Sequence, residues 1–125
     1  MRKSDGKNQR YLMRSLSPPD LPPPLARYAH GVEIPPGHRI VRSAGQLAIA
    51  PDGTIPPGAE SQAGLVFSNL KLILAEADMG PAEVFHISAY VTDRAHMPGY
   101  MAARDAFLAD VPEPDLPSST LLIVS

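Results

Sequence analysis

Between Val84 and Val124 the spacing of apolar residues changes twice, and this succession constrains the fold more than anything else in the chain. From Val84 to Thr92 apolar and polar residues alternate, as in a half-buried strand. Phe85, Ile87, Ala89 and Val91 take one face, and His86, Ser88 and Tyr90 the other. Asp93 then offers a carboxylate cap and Pro98 a preset first-turn φ, so a helix is expected to run to about Asp110. Its stripe is Met97, Tyr100, Met101, Arg104 and Leu108, with Phe107 beside it. Pro112, Pro114 and Pro117 hold the next stretch extended, and Thr120–Val124 reads as a last strand.

Upstream, Glu60–Ala77 is the other helix: Ala63, Val66, Phe67, Leu70, Leu74 and Ala77 step by threes and fours along one stripe, and Gly80-Pro81 closes it. Tyr28–Ile34 reads as a strand, Pro35-Pro36-Gly37 as a turn, and Arg39–Ala50 as a returning strand that uses Ile40, Val41, Leu47 and Ile49. The expected order is β-β-α-β-α-β, an α+β fold with two helices on one face of one sheet. Residues 1–25, basic and then Pro-rich, are expected to form a disordered or extended arm, and residues 26–125 the folded domain.

A chain of 125 residues has room for one core. It contains no Cys, which excludes disulfides and thiolate chemistry and fits a cytoplasmic protein. No run approaches the ~18 apolar residues of a membrane span. Five basic residues against one acidic one fall in the first 17 positions; the rest holds six basic and twelve acidic residues. An acidic body lacks the clustered Lys and Arg of a nucleic-acid footprint. His30, His38, His86 and His96 lack the spacing that puts two metal ligands on one face, so no metal is expected. No P-loop, dinucleotide fingerprint or nucleophile elbow is present, and no cofactor is expected.

Several short motifs occur in order: Tyr28-Ala29-His30-Gly31-Val32, Ala44-Gly45-Gln46, Asp52-Gly53, Val91-Thr92-Asp93, Ala102–Phe107 and Pro117-Ser118-Ser119-Thr120. Together they resemble the RidA (YjgF) family of enamine and imine deaminases, over roughly Ala26 to Ser125. The resemblance implies a chorismate-mutase-like fold and a homotrimer with a small-molecule cleft between neighbouring subunits. It also implies a final strand, carrying a glutamate, that this sequence does not contain. In active members an arginine pairs with the carboxylate of a 2-imino acid, helped by a tyrosine, a serine and an asparagine. By position, the tyrosine is Tyr28, the serine is replaced by Ala44 beside Gly45, the asparagine by Met101, and the arginine by Ser119.

The resemblance thus nominates Tyr28 and Ser119 as catalytic positions, with Ala44, Gly45, Met97, Met101, Thr120 and Leu121 lining the ligand. Losing the guanidinium removes a bidentate, charge-assisted contact of about 1.5–3 kcal/mol, so standard 2-imino acid deamination is not expected. The expected function is binding of small reactive metabolites such as enamines, imines or related carbonyl compounds, with hydrolysis open. A non-catalytic metabolite-binding or regulatory trimer is the alternative, and RNA cleavage or translation inhibition ranks behind both. Arg104 is a substitute cation only if it turns inward; an exposed helix arginine is the expectation for it.

Overall fold

The computed structural model describes residues 13–125. The elements are β1 (Arg14–Leu16), β2 (Gly31–Glu33), α1 (Ala59–Glu76), β3 (His86–Val91), α2 (Met97–Phe107) and β4 (Ser118–Ile123). The order β-β-α-β-α-β is the expected one; β2 falls within the expected strand Tyr28–Ile34, whereas β1 lies upstream of it and Arg39–Ala50 supplies no strand.

β3 and β4 pair in parallel, from His86 opposite Ser118 to Val91 opposite Ile123. Parallel neighbours need a crossover connection, and α2 supplies it. Asp93 caps the single 3-10 turn before α2 by accepting from the Ala95 amide at 2.8 Å, and Pro98 sits in the first turn. Ile87 is buried and Ala89 and Val91 are half-buried, while His86, Ser88 and Tyr90 are exposed. The strand therefore has one face on the helices and one face open, as the alternation implies.

α1 packs on α2 around an aromatic stack. The Phe67 ring lies 4.7 Å from Phe107 and 6.0 Å from Tyr100, centroid to centroid. Ile87, Ala103, Leu108, Val111 and Leu116 complete this core. α1 ends in a Schellman turn: the Met79 amide donates to Leu74 O and the Asp78 amide to Ala75 O, with Asp78 at a left-handed φ of 59°. The helix thus stops at Glu76, four residues before Gly80.

Two expectations about the amino-terminal half are corrected. Arg39–Ala50 forms no strand, so the single expected sheet appears as two two-stranded sheets, β1–β2 and β3–β4. A strand needs a ladder partner, and among the described residues none lies beside this segment. Its polar and small run Arg42–Gln46 also provides no apolar face to hold it down. Conversely, residues 13–16 are not part of a free arm. Met13 is buried, β1 pairs antiparallel with β2, and the Ser15 hydroxyl donates to Leu116 O at 2.6 Å. Residues 1–12 of the expected arm lie outside the described residues.

The helices meet most closely at Gly99, where an added Cβ would stand 2.8 Å from the Glu60 amide nitrogen and 3.3 Å from Ala59 Cβ. Backbone cannot yield there, so Gly99→Ala forces α1 and α2 apart. The expected loss is about 1–3 kcal/mol in denaturant unfolding, and no loss would show that the two helices are not in this contact.

Candidate functional site

The site begins with how Tyr28 is held. The Arg27 guanidinium donates to Leu108 O at 3.0 Å and to Val111 O at 2.8 Å, where α2 ends. Two residues on, the Ala29 amide donates to Pro117 O at 2.8 Å and Ala29 makes a parallel bridge with Ser118. Residues 27–30 therefore run along the start of β4, and Tyr28 comes to lie within one strand spacing, about 5 Å, of the backbone leading to Ser119.

Tyr28 is half-buried, and its hydroxyl accepts a long bond from the Leu25 amide at 3.4 Å. Its ring meets His30 edge-on at 6.4 Å. His30 Nε2 lies 2.7 Å from Pro22 O. A carbonyl only accepts, so Nε2 carries the proton and a neutral ring keeps its Nδ1 lone pair for another group. Ser119 and Leu121 are half-buried and share a face of the ladder with Ile87 and Ala89. Leu121 and Met101 both pack on the apolar core, and Met97 is half-buried in the first turn of α2. Thr120 is exposed, on the open face beside Ser88.

Ala44 and Gly45 are not brought to this group. Both are exposed, a Cβ on Gly45 would meet nothing within 4 Å, and the nearest polar contact is local, from Gln46 Nε2 to Ala44 O at 3.3 Å.

Arg104 departs from expectation: it is 3% exposed rather than solvated. Its Nε and one terminal nitrogen both donate to Asp105 Oδ1, at 3.2 and 3.1 Å, and its guanidinium carbon stands 5.9 Å from the Tyr100 ring centroid. Its place in the Met97–Tyr100–Met101–Leu108 stripe was the signal for burial. The Tyr100 hydroxyl is buried without a hydrogen-bond partner, and desolvation raises its pKa above the ordinary value, with the Arg104 charge opposing. Neither arginine near the site is free, because Arg27 caps α2 and Arg104 is paired.

On the other face, Ser118 donates its one hydroxyl proton to Phe85 O at 3.2 Å and so accepts from His86 Nδ1 at 2.7 Å. Among the described residues no three His, Asp or Glu side chains converge as metal ligands, and no helix is long and apolar enough to cross a membrane. A cavity of about 280 Å³ opens between α1 and α2 on the outer side, lined by Phe67, Lys71, Ala103 and Phe107.

The family described as endoribonuclease L-PSP matches residues 19–125. The chain belongs to this family, the Rid proteins. A Rid-family protein of unknown function from Yersinia pestis, YyfB, superposes with a TM-score of 0.78 at 26% identity, over 91% of this chain and 86% of that one. RidA from the Antarctic bacterium Psychrobacter sp. PAMC 21119 shares the fold, with a TM-score of 0.54 at 24% identity over 82% and 79% of the two chains. A RutC family protein of Aquifex aeolicus is 29% identical over 82 residues, 65% of this chain. The chain spans 63% of that relative's length.

In this Rid protein the unpartnered Tyr100 hydroxyl yields a measurable pH dependence. A raised folded-state pKa means stability is full below about pH 10, the unfolded tyrosine value, and falls as pH rises through the folded value. Tyr100→Phe removes the buried hydroxyl and is expected to leave stability at pH 7 unchanged or higher by up to ~1 kcal/mol. It should also flatten the decline above pH 10, followed by urea unfolding at stepped pH. A substantial loss at pH 7 would show that the hydroxyl has a partner.

Proposed function

We propose that this Rid protein binds small, uncharged imines, enamines or related carbonyl compounds in a cleft built on Tyr28 and the first residues of β4, and hydrolyses them. The observation that supports this reading is the Ala29–Ser118 bridge, which runs the segment of half-buried Tyr28 alongside the strand of half-buried Ser119, while Arg27 and Arg104 are both engaged in structural contacts. A fixed carboxylate buried there would lack a counter-charge, whereas a neutral C=N group needs only donors and acceptors.

The chemistry is ordinary imine hydrolysis. An enamine first takes a proton on carbon and gives up one from nitrogen to become the imine. Water then adds to the C=N carbon, its proton passes to nitrogen, and the carbinolamine collapses to a carbonyl compound and ammonia. The Tyr28 hydroxyl accepts from Leu25, which leaves its own proton to donate to the substrate nitrogen. His30 Nδ1 is the nearby group able to take a proton from the attacking water. Ser119 orients the substrate, with Met101 and Leu121 as its apolar wall.

The open face of β3–β4 supports assembly into a homotrimer, the arrangement that the family resemblance implies. Tyr90, 65% exposed, and Leu122, 48% exposed, stand on that face without cover in one chain.

The family's descriptive name speaks of RNA cleavage. The surplus of acidic residues after position 17 gives no cationic track for a phosphate backbone, and this favours the small-molecule reading.

The test generates 2-iminopropanoate and a neutral alkyl imine in situ and follows the disappearance of each with purified protein. Turnover of the neutral imine is expected, and Tyr28→Phe should lower its kcat by a factor of about 10² if the hydroxyl acts as the acid. Ser119→Arg should improve handling of the carboxylate substrate by about one to two orders of magnitude, equivalent to ~1.5–3 kcal/mol. Ligand-induced thermal stabilisation without turnover would leave the cleft as a binding site and remove the hydrolytic role.

A further inference from the structure

We propose, on the reading above that Tyr28 and His30 are the acid and base of the cleft, that residues 17–25 are their positioning device. This Pro-rich run presents one carbonyl to the His30 ring and one amide to the Tyr28 hydroxyl, and so fixes which atoms of the two side chains remain for the ligand.

Residues 17–30 connect β1 to β2, and the connection is closed where Leu16 pairs with Gly31. An irregular connection longer than about 12 residues is uncommon in a compact domain and is most often functional. Its outgoing limb is residues 17–25, and its returning limb carries Tyr28 and His30. The two limbs start side by side, with the His30 amide donating to Ser17 Oγ at 3.5 Å. A turn in which the Leu21 amide donates to Pro18 O at 3.2 Å then bends the outgoing limb.

Apolar packing does not hold this limb in place. Residues 17–23 are all exposed, and Leu25 is 93% exposed. Among the described residues, every hydrogen bond that leaves the limb goes to Tyr28 or His30. Pro22 O takes the proton of His30 Nε2 at 2.7 Å, and the Leu25 amide donates to the Tyr28 hydroxyl at 3.4 Å.

Three consecutive prolines make this possible. Pro23 and Pro24 have no N–H, so neither can donate to a nearby carbonyl. The first amide able to close a turn on Pro22 O is that of Leu25, and it is given to Tyr28 instead. Pro22 O is thereby left to the imidazole. The locked φ of each ring also stiffens the run, so an acceptor and a donor keep their spacing without being buried. An imidazole without this partner would share its proton between two nitrogens, and its lone pair would face the attacking water only part of the time.

The test replaces Pro23 and Pro24 together by glycine, which restores two N–H groups and frees the backbone while leaving Tyr28 and His30 intact. Imidazole nitrogen resonances are recorded on histidine-labelled protein, with His30 assigned from the signals lost in His30→Gln. Turnover of the neutral alkyl imine is followed in parallel. The unsubstituted protein is expected to hold His30 as the Nε2–H tautomer, and the Pro23→Gly, Pro24→Gly variant to show a mixture of tautomers. With it, kcat should fall about tenfold while KM stays within about twofold. A mixture of tautomers in the unsubstituted protein would overturn the proposal, and that measurement needs no variant to fold. An unchanged tautomer in the variant would overturn it as well, and so would mixed tautomers with kcat unaltered. Absence of turnover in both proteins would remove the hydrolytic reading alone, because the tautomer comparison would still confirm or overturn the hold of the Pro-rich limb on His30.

Discussion

The Arg27 guanidinium is the contact on which the site depends. Its two bonds go to Leu108 O, the C-cap carbonyl of α2 that also accepts from the Val111 amide, and to Val111 O in the loop beyond. They also tie the amino-terminal segment to the loop before β4. Once Arg27 is held, Ala29 reaches Pro117 and Ser118, and Tyr28 between them has little freedom. Arg39 does the same at α1 through Ala77 O. In each case a cation from the amino-terminal third sits at a helix carboxyl end, where the helix dipole favours positive charge. Two arginines thus fasten an otherwise loop-rich half to the helices.

The helices can bear this because they are fixed to each other. Phe67 stacks on Phe107 and leans on Tyr100, and Gly99 lets the two backbones approach where any side chain would collide. α2 is also the crossover between two parallel strands, so its position sets the register of β3 against β4. Site and core share one frame: Met101 and Leu121 face the apolar cluster from one side, and Tyr28 is pinned to the end of the helix that carries Met101.

Much of this was legible in the sequence, for a physical reason. The helices and β3 announce themselves by period, a local property of neighbouring residues. Glu60–Ala77 was expected against Ala59–Glu76 found, and the alternation of His86 to Val91 matches the observed faces. Strands that depend on distant partners were not legible. Arg14–Leu16 is a strand because Gly31–Glu33 lies beside it, and Arg39–Ala50 is not one because it has no ladder. Arg104 shows how residue type can mislead. Its position in the stripe pointed inward, and Tyr100 and Asp105 make burial of the charge tolerable. The adjacency of Tyr28 to the strand of Ser119 spans about ninety positions and emerges only from the Ala29 bridge, while the free Nδ1 of His30 emerges only from its bond to Pro22 O.

The proposed cleft around Tyr28 and Ser119 is distinguished by its arginines: among the described residues, Arg27 and Arg104 both serve structural contacts. On the proposed reading a neutral ligand is selected, because a buried carboxylate without a partner is costly. The most direct measurement is therefore competition for the unmodified protein between two substrates that differ only in charge, an imine bearing a carboxylate and the same imine as its carboxamide. A kcat/KM at least tenfold higher for the carboxamide is the predicted result. Equal values, or preference for the carboxylate, would show that a cation does serve the cleft and would contradict the account.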